Sequence, residues 1–422
     1  MALAVGLVAL YLVTYLVLSI LRHRTFHSFA FDLGLFDQIF WNTIQGRPFE
    51  STISQANPGP HSYFGDHFSP IFWLLFPFYL AYPHPETLLV VQTIFLALGA
   101  VPVYLLARLR LEAGFPRLAW VAAYFLFLPV AYINLFDFHE LAFSVLPLGL
   151  ALYFLEAGRL RWFLASLFFA LLVKEEMGLV AFGFGAYAAL GKRRLLLGSA
   201  VMVGGLACFV VLIDLVIPHF ASGAAYPYLA DRYPVLGRTP LQILMTVLTH
   251  PGRVVGLLLQ AKKAEFVAGL FGPVLFLPLF SRWALLLPAP TLGYLLLSSY
   301  APEYSFATQY SAPLIALILG SAILAISRFP ARLQAGLIGA VLVSSFAFSF
   351  LFGDLPFSIH FDPSLFLSEP RYAAFSGTLR TIPPGASVAS QDGLTAQLAE
   401  RWFIYSIGYQ GVNGADYVVW AF

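Results

Sequence analysis

Lipid must solvate most of this 422-residue chain, because 60% of it is hydrophobic, 17% aromatic and only 10% charged, too little polar surface to cover a water-soluble globule. The formal net charge of +2 gives no reason to expect a nucleic-acid partner. Cys208 is the only cysteine, which excludes an intramolecular disulfide and a cysteine-based metal site.

A crossing needs about 20 apolar residues, and in chain order this predicts spans near 2–21, 86–107, 118–134, 141–157, 162–173, 177–190, 195–217, 265–280, 283–299, 306–326 and 333–352. The first has no basic leader and no small-residue cleavage site, so it reads as a span and not as a removable signal. With the N-terminus inside, the inner connections carry Arg108, Arg110, Arg117, Arg159, Arg161, Lys192, Arg193, Arg194, Arg282, Arg328 and Arg332 against Glu112 and Glu156, a positive-inside bias. A single crossing over 162–190 would put Arg159 and Lys192 on opposite sides. A short hairpin with Lys174-Glu175-Glu176 at its outer tip is therefore expected, although one interrupted span is the alternative by length.

Between the first two spans, the loop from Arg22 to Pro85 is rich in Pro, Gly, His and aromatics. Within it Leu33, Phe36, Phe40 and Ile44 recur at helical spacing opposite Asp37, Gln38 and Gln45, which predicts an interfacial helix lying on the membrane. Pro70–Tyr82 predicts a second, half-inserted helix with Ser69 as N-cap. Residues 218–264 form another external loop. From Gly353 the pattern turns soluble, with strands expected at 386–390, 403–406 and 417–420 and a helix at 393–401. The expected fold class is thus an all-α polytopic membrane protein of about eleven helices over residues 1–352, with a small outer α/β appendage over 353–422. Too few strands for a full domain imply that the appendage leans on the membrane part or that the chain is a piece of a longer one.

Three motifs, Phe31-Asp32-Leu33-Gly34-Leu35-Phe36-Asp37-Gln38 with Trp41 and Gly46, then Asp66-His67-Phe68-Ser69-Pro70, then Phe136-Asp137-Phe138-His139, resemble a bacterial membrane family known as domain of unknown function 2079. That family resembles in turn the GT-C glycosyltransferases. The resemblance implies a GT-C-like fold in a bacterial or archaeal inner membrane, N-terminus cytoplasmic and C-terminus outside. It also implies an outward site using a polyprenyl-phosphate-linked sugar donor, with membrane lipid and an acceptor glycan, lipid or protein as further partners. Residue by residue, Asp32 stands where such enzymes carry an acid at the start of an interfacial helix, Asp66-His67 where a basic residue before prolines binds donor phosphate, and Asp137 where a second acid closes a span. Lys174 matches a lysine in the next hairpin, and Gln309-Tyr310 a segment that often carries a cation before Tyr.

Inverting transfer from a lipid phosphate needs a carboxylate to deprotonate the acceptor and donors or cations to stabilise the leaving phosphate. Asp32 is the candidate base and Asp137 a second catalytic acid; the bland alternatives are an N-cap for Asp32 and, for Asp137, a capping box with Glu140. Asp37 and Gln38 would line the site or form a solvated helix face. Phosphate contacts are expected from His67, Lys174, Arg22 and Arg24, the last two because they break the positive-inside pattern; lipid headgroups or outer acids are their other explanation. Lys174 could instead pair locally with Glu175 or Glu176. No cofactor is indicated outright, but Asp137, His139 and His67, with Asp66, could hold a divalent metal. The rival function is a transporter or lipid flippase, which would place polar residues nearer the midplane; a non-catalytic scaffold is the third reading.

Overall fold

The structure is a computed structural model and describes residues 2–54, 59–112 and 114–420. Helix α1 (Ala2–Arg24) leads into a π-helical turn at Ala30–Gly34, α2 (Leu35–Ile44), the hairpin β1 (Glu50–Ser51) and β2 (His61–Ser62), and α3 (Phe72–Ala81). Then follow α4 (Pro85–Leu98), α5 (Ala100–Arg110), α6 (Phe115–Phe125), α7 (Leu128–Leu135), α8 (Val145–Glu156), α9 (Leu160–Leu171), α10 (Met177–Ala186) and α11 (Leu195–Val211). The second half holds α12 (Ile217–Phe220), α13 (Tyr228–Arg232), α14 (Pro240–Thr249), α15 (Pro251–Leu258), α16 (Ala261–Phe271), α17 (Ala289–Leu297), α18 (Ala312–Ile326) and α19 (Ala331–Phe352).

Among the described residues five helical stretches are long and apolar enough to cross a membrane: Leu3–Arg24, Pro85–Arg110, Leu195–Phe220, Gln309–Ile326 and Ala331–Phe352. Two bent pairs, α6 with α7 at 41° and α14 with α15 at 97°, raise this to seven if each counts as one span. The expected spans at 265–280 and 283–299 are not continuous helices. After α16 the chain runs through 3-10 turns at Gly272–Val274, Leu277–Phe280 and Arg282–Leu286, because Pro273 and Pro278 lack the amide that an α-helix would bond. Leu275 and Phe276 accordingly take left-handed φ values of 54° and 53°. The expected loop at 218–264 is instead largely helical, and α14 and α15 expose Leu241, Leu244, Leu248 and Val255 as a lipid-facing helix does.

Helix α18 is the axis of the bundle, since every residue from Ala312 to Ile326 is buried, packed against α5, α8 and the Leu277–Phe280 turn. Segment 160–191 is a hairpin. Lys192, just past its far end, returns to within 3.2 Å of Glu156 at the end of α8, and the Tyr187 hydroxyl donates to Glu156 at 2.6 Å. Arg110 pairs with the same carboxylate. One crossing could not bring both ends of the segment to one glutamate, so Lys174-Glu175-Glu176 sits at the opposite end of the bundle.

The polar side of helix α2 is not a wet face. Its apolar residues Leu33, Phe36 and Phe40 are buried, but so are Asp37 and Gln38. The C-terminal unit covers that polar side: Gln38 Nε2 donates to the Arg401 and Trp402 carbonyls at 3.1 Å, and Thr52 Oγ1 to the Ile404 carbonyl at 2.7 Å. That unit contains α20 (Pro370–Leu379), α21 (Asp392–Thr395), α22 (Ile407–Gln410) and three parallel strands, β3 (Val388–Ser390), β4 (Ile404–Ser406) and β5 (Tyr417–Val419). They are ordered β4-β3-β5, with Val388 opposite Ile404 and Tyr417. The docking is close: a Cβ on Gly34 would lie 3.2 Å from Ala396 Cα, and one on Gly393 only 2.3 Å from the Phe26 carbonyl oxygen. In the first loop, Ile71 and not Ser69 takes the cap position of α3, and the Ser69 hydroxyl has no partner.

A candidate active-site cavity between the loops and the C-terminal unit

At the end of the bundle away from Glu156, a cavity of about 460 Å³ opens between the first loop, the tip of the 160–191 hairpin, the segment before α18 and the C-terminal unit. Its wall includes Asp32, Asp66, His67, His139, Glu140, Lys174, Gln309 and Tyr310, together with Tyr228, Arg232, Tyr300 and Asp392. Asp32 is not an N-cap. It lies inside the π-helical turn whose cap position is Phe29, and its Oδ1 receives His139 Nε2 at 2.7 Å. The imidazole is stacked on Phe136 with centroids 5.3 Å apart and meets the Phe36 edge, so two aromatic rings fix its plane.

Lys174 reaches past its neighbours to Glu140, 2.8 Å away, with both side chains almost fully buried. Burial opposes its charge, but Glu140, then Glu176 and Glu175, outweigh it and hold the ammonium above its ordinary range. His67 Nδ1 meets Glu175 Oε1 at 2.7 Å, and its ring lies flat on Tyr228 at 4.6 Å. Burial pushes the Glu175 carboxyl up, yet His67 and Lys174 prevail and keep it below the usual carboxylate range. The Phe68 amide and the Tyr226 hydroxyl also donate to it, at 3.1 and 2.8 Å. Asp66 accepts from Ser54 Oγ and meets His61 Nε2, both at 3.1 Å.

Arg232, at the end of α13, supplies a cation that the sequence did not single out. It pairs with Glu303 at 2.5 Å, donates to the Tyr310 hydroxyl at 3.3 Å, and lies over Tyr228, Tyr300 and Tyr310 at 4.5, 5.4 and 5.3 Å. An Arg amid Tyr226, Tyr228 and Tyr233, in a segment expected to be an external loop, is the same kind of departure from the expected positive-inside pattern as Arg22.

Five candidates stand outside the cavity wall. Asp137 makes no capping box, because His139 takes the cap position of Glu140–Ser144 and Asp137 turns away. Its carboxylate holds Arg22 at 2.8 Å and accepts from the Phe29 amide at 2.8 Å, while Gln92 Nε2 donates to its carbonyl at 2.7 Å. Its φ of 113° is a strained value for a residue with a side chain, and burial pushes its carboxyl up to about 6 despite Arg22. Asp137 and Arg22 thus tie the turn before Asp32 to the turn before His139. Arg24 pairs with Glu86 at the surface, 2.6 Å away. Asp37 accepts from Tyr79 at 2.6 Å beside a separate crevice of about 380 Å³ that also contains Glu400, and Gln38 serves the contact with the C-terminal unit. Of the metal set, Asp137, His139 and His67 face three different partners, and among the described residues no three His, Cys, Asp or Glu side chains are placed to hold a metal ion.

Over residues 22–419 the sequence matches the model of the family described as "Predicted membrane protein (DUF2079)". The chain belongs to this family. No curated protein matches it. Among solved structures it is similar to ArnT from Cupriavidus metallidurans bound to undecaprenyl phosphate, at 18% identity and a TM-score of 0.46, over 80% of this chain and 63% of that one. The chain therefore spans less than two thirds of that protein's length. All three motifs noted above fall inside the family match, and two of them, the Asp32 and Phe136–His139 segments, meet through the His139–Asp32 hydrogen bond.

Proposed function

We propose that this family member is a membrane glycosyltransferase that moves a sugar from a polyprenyl-phosphate donor to an acceptor hydroxyl at the outer face of the membrane. The observation that carries the reading is the sharing of one cavity by a histidine-held carboxylate, Asp32, and two cations, Lys174 and Arg232. Asp32 takes the proton of the acceptor hydroxyl as its oxygen bonds to the anomeric carbon. The bond from that carbon to the phosphate oxygen breaks on the opposite face, which inverts the centre. The phosphate keeps the electron pair, and Lys174, Arg232 and the Tyr310 hydroxyl meet its growing charge. His139 is a positioning residue that holds the Asp32 carboxylate through Nε2. Asp137 and Arg22 act one step further out, by fixing the two turns that bring His139 and Asp32 together.

The test is transfer of radiolabelled sugar from a lipid-linked donor by the protein in proteoliposomes. Transfer by the wild type that is lost in Asp32→Asn supports the reading. Full transfer by Asp32→Asn removes Asp32 as base, and flux of a solute or lipid across the vesicle without transfer decides for a carrier.

A further inference from the structure

We propose that the sugar received by this cavity carries no negative charge, and that Asp392 of the C-terminal unit is a residue that enforces this. The inference deepens the transferase reading and rests on it. Each cation of the wall already carries one carboxylate partner, Glu140 for Lys174 and Glu303 for Arg232, so the attraction they retain goes to the donor phosphate and none is left over for a second anion. The other acidic side chains in the lining come from three separate segments: Asp32 of the π-helical turn, held by His139, Asp66 of the first loop, held by His61, and Asp392 at the start of α21. Asp392 is held in place from behind, where the Ser406 hydroxyl donates to its Oδ1 at 2.8 Å.

A second, independent observation comes from atoms left without partners. Glu140 Oε2 and His139 Nδ1 are buried, belong to lining residues and have no hydrogen-bond partner among the described residues. A carboxylate oxygen can only accept, and a neutral imidazole that donates from Nε2 to Asp32 presents Nδ1 as an acceptor. Acceptors stranded in a buried wall are stabilised by a ligand that brings donors, such as the hydroxyl or amino groups of a sugar ring. A uronic acid would instead set its carboxylate against a wall of acceptors and like charge, which is discrimination by repulsion. The C-terminal unit also contributes Tyr409, whose ring stands edge-on to Phe31 at 4.6 Å, so the wall offers aromatic surface beside the Asp392 carboxylate.

The experiment uses the full chain in nanodiscs and titrates four probes by thermal stabilisation: bare polyprenyl phosphate, and the same lipid carrying glucose, glucosamine or glucuronic acid. The glucose and glucosamine lipids are expected to bind at least about tenfold more tightly than the glucuronic acid lipid, from like-charge exclusion. Asp392→Lys should close most of that gap by strengthening the uronic lipid, and Asp392→Asn, which keeps the side-chain size, should narrow it if the lysine variant does not fold. Equal or tighter binding of the uronic lipid, or no sugar lipid binding better than the bare carrier, overturns the inference. An unchanged gap in both variants removes Asp392 from it. Transfer is scored separately in proteoliposomes: selective binding without transfer sinks the transferase reading and leaves the selectivity standing, whereas equal transfer from a uronic donor does the reverse.

Discussion

The two ends of the helical bundle each bury a glutamate among cations, and they differ in how completely it is satisfied. Glu156 is saturated: one oxygen takes the Tyr187 hydroxyl and Lys192, the other takes Arg110. Glu140 has one oxygen on Lys174 and the other on no partner among the described residues, next to a cavity. Since a buried charge is tolerated only when its hydrogen-bonding capacity is used, the saturated cluster behaves as a staple that closes the 160–191 hairpin. The half-used one is an unfinished network that a ligand can complete.

The sharpest way to break this contrast is at the site end. Asp32→Asn should lower sugar transfer by about 1,000-fold, within the range for loss of a general base, while the folded protein keeps its thermal midpoint. Rates within twofold of wild type would end the assignment. At the opposite end, Glu156→Ala leaves Arg110, Lys192 and Tyr187 unpaired and should cost about 3 kcal/mol of stability, read by chemical denaturation in detergent, with turnover per folded molecule unchanged. If turnover falls as steeply as stability, the two ends are not separate in role.

Between these extremes lie Arg22 and Arg24, two residues apart in sequence and unlike in setting. Arg22→Ala strips the buried Asp137 carboxylate and should cost about 2 kcal/mol, slowing transfer as well because the His139 turn loosens. A further contrast comes from pH. Glu175 is held below its ordinary range in the folded state, so its contribution is fully present above its unfolded value and is lost as pH falls through the carboxylate range. Denaturation midpoints of wild type should therefore drop on acidification more than those of Glu175→Gln, and parallel curves would contradict the shift. Smallest of all, Arg24→Ala removes only an exposed pair with Glu86 and should change stability by less than about 1 kcal/mol, leaving transfer as it was.

What the sequence revealed of the molecule follows from which forces act locally. Span length and the placement of Arg and Lys are local quantities, so α1 and the hairpin over 160–191 with Lys174 at its tip are readable from it. The breaks after α16 were also written in Pro273 and Pro278, but a hydropathy window averages over them. Partners were less legible. Nothing near Lys174 in sequence points to Glu140, 34 positions earlier, in preference to the adjacent Glu175. Asp37 and Gln38 read as a wet helix face because the surface that covers them, around Arg401 and Ile404, is more than 350 residues away. Arg232 is hidden for the opposite reason: 218–264 reads as a loop, and which of a loop's side chains turn back into the bundle is not a local quantity.

The close docking of Gly34 and Gly393 has a consequence for how the protein is made. The helices through α19 can enter the membrane as they are synthesised, but the turn carrying Asp32 has no far wall until residues 392–409 have settled on it. A chain synthesised only as far as α19 thus holds the cations and the carboxylate while the chamber that would confine a substrate is still open on one side.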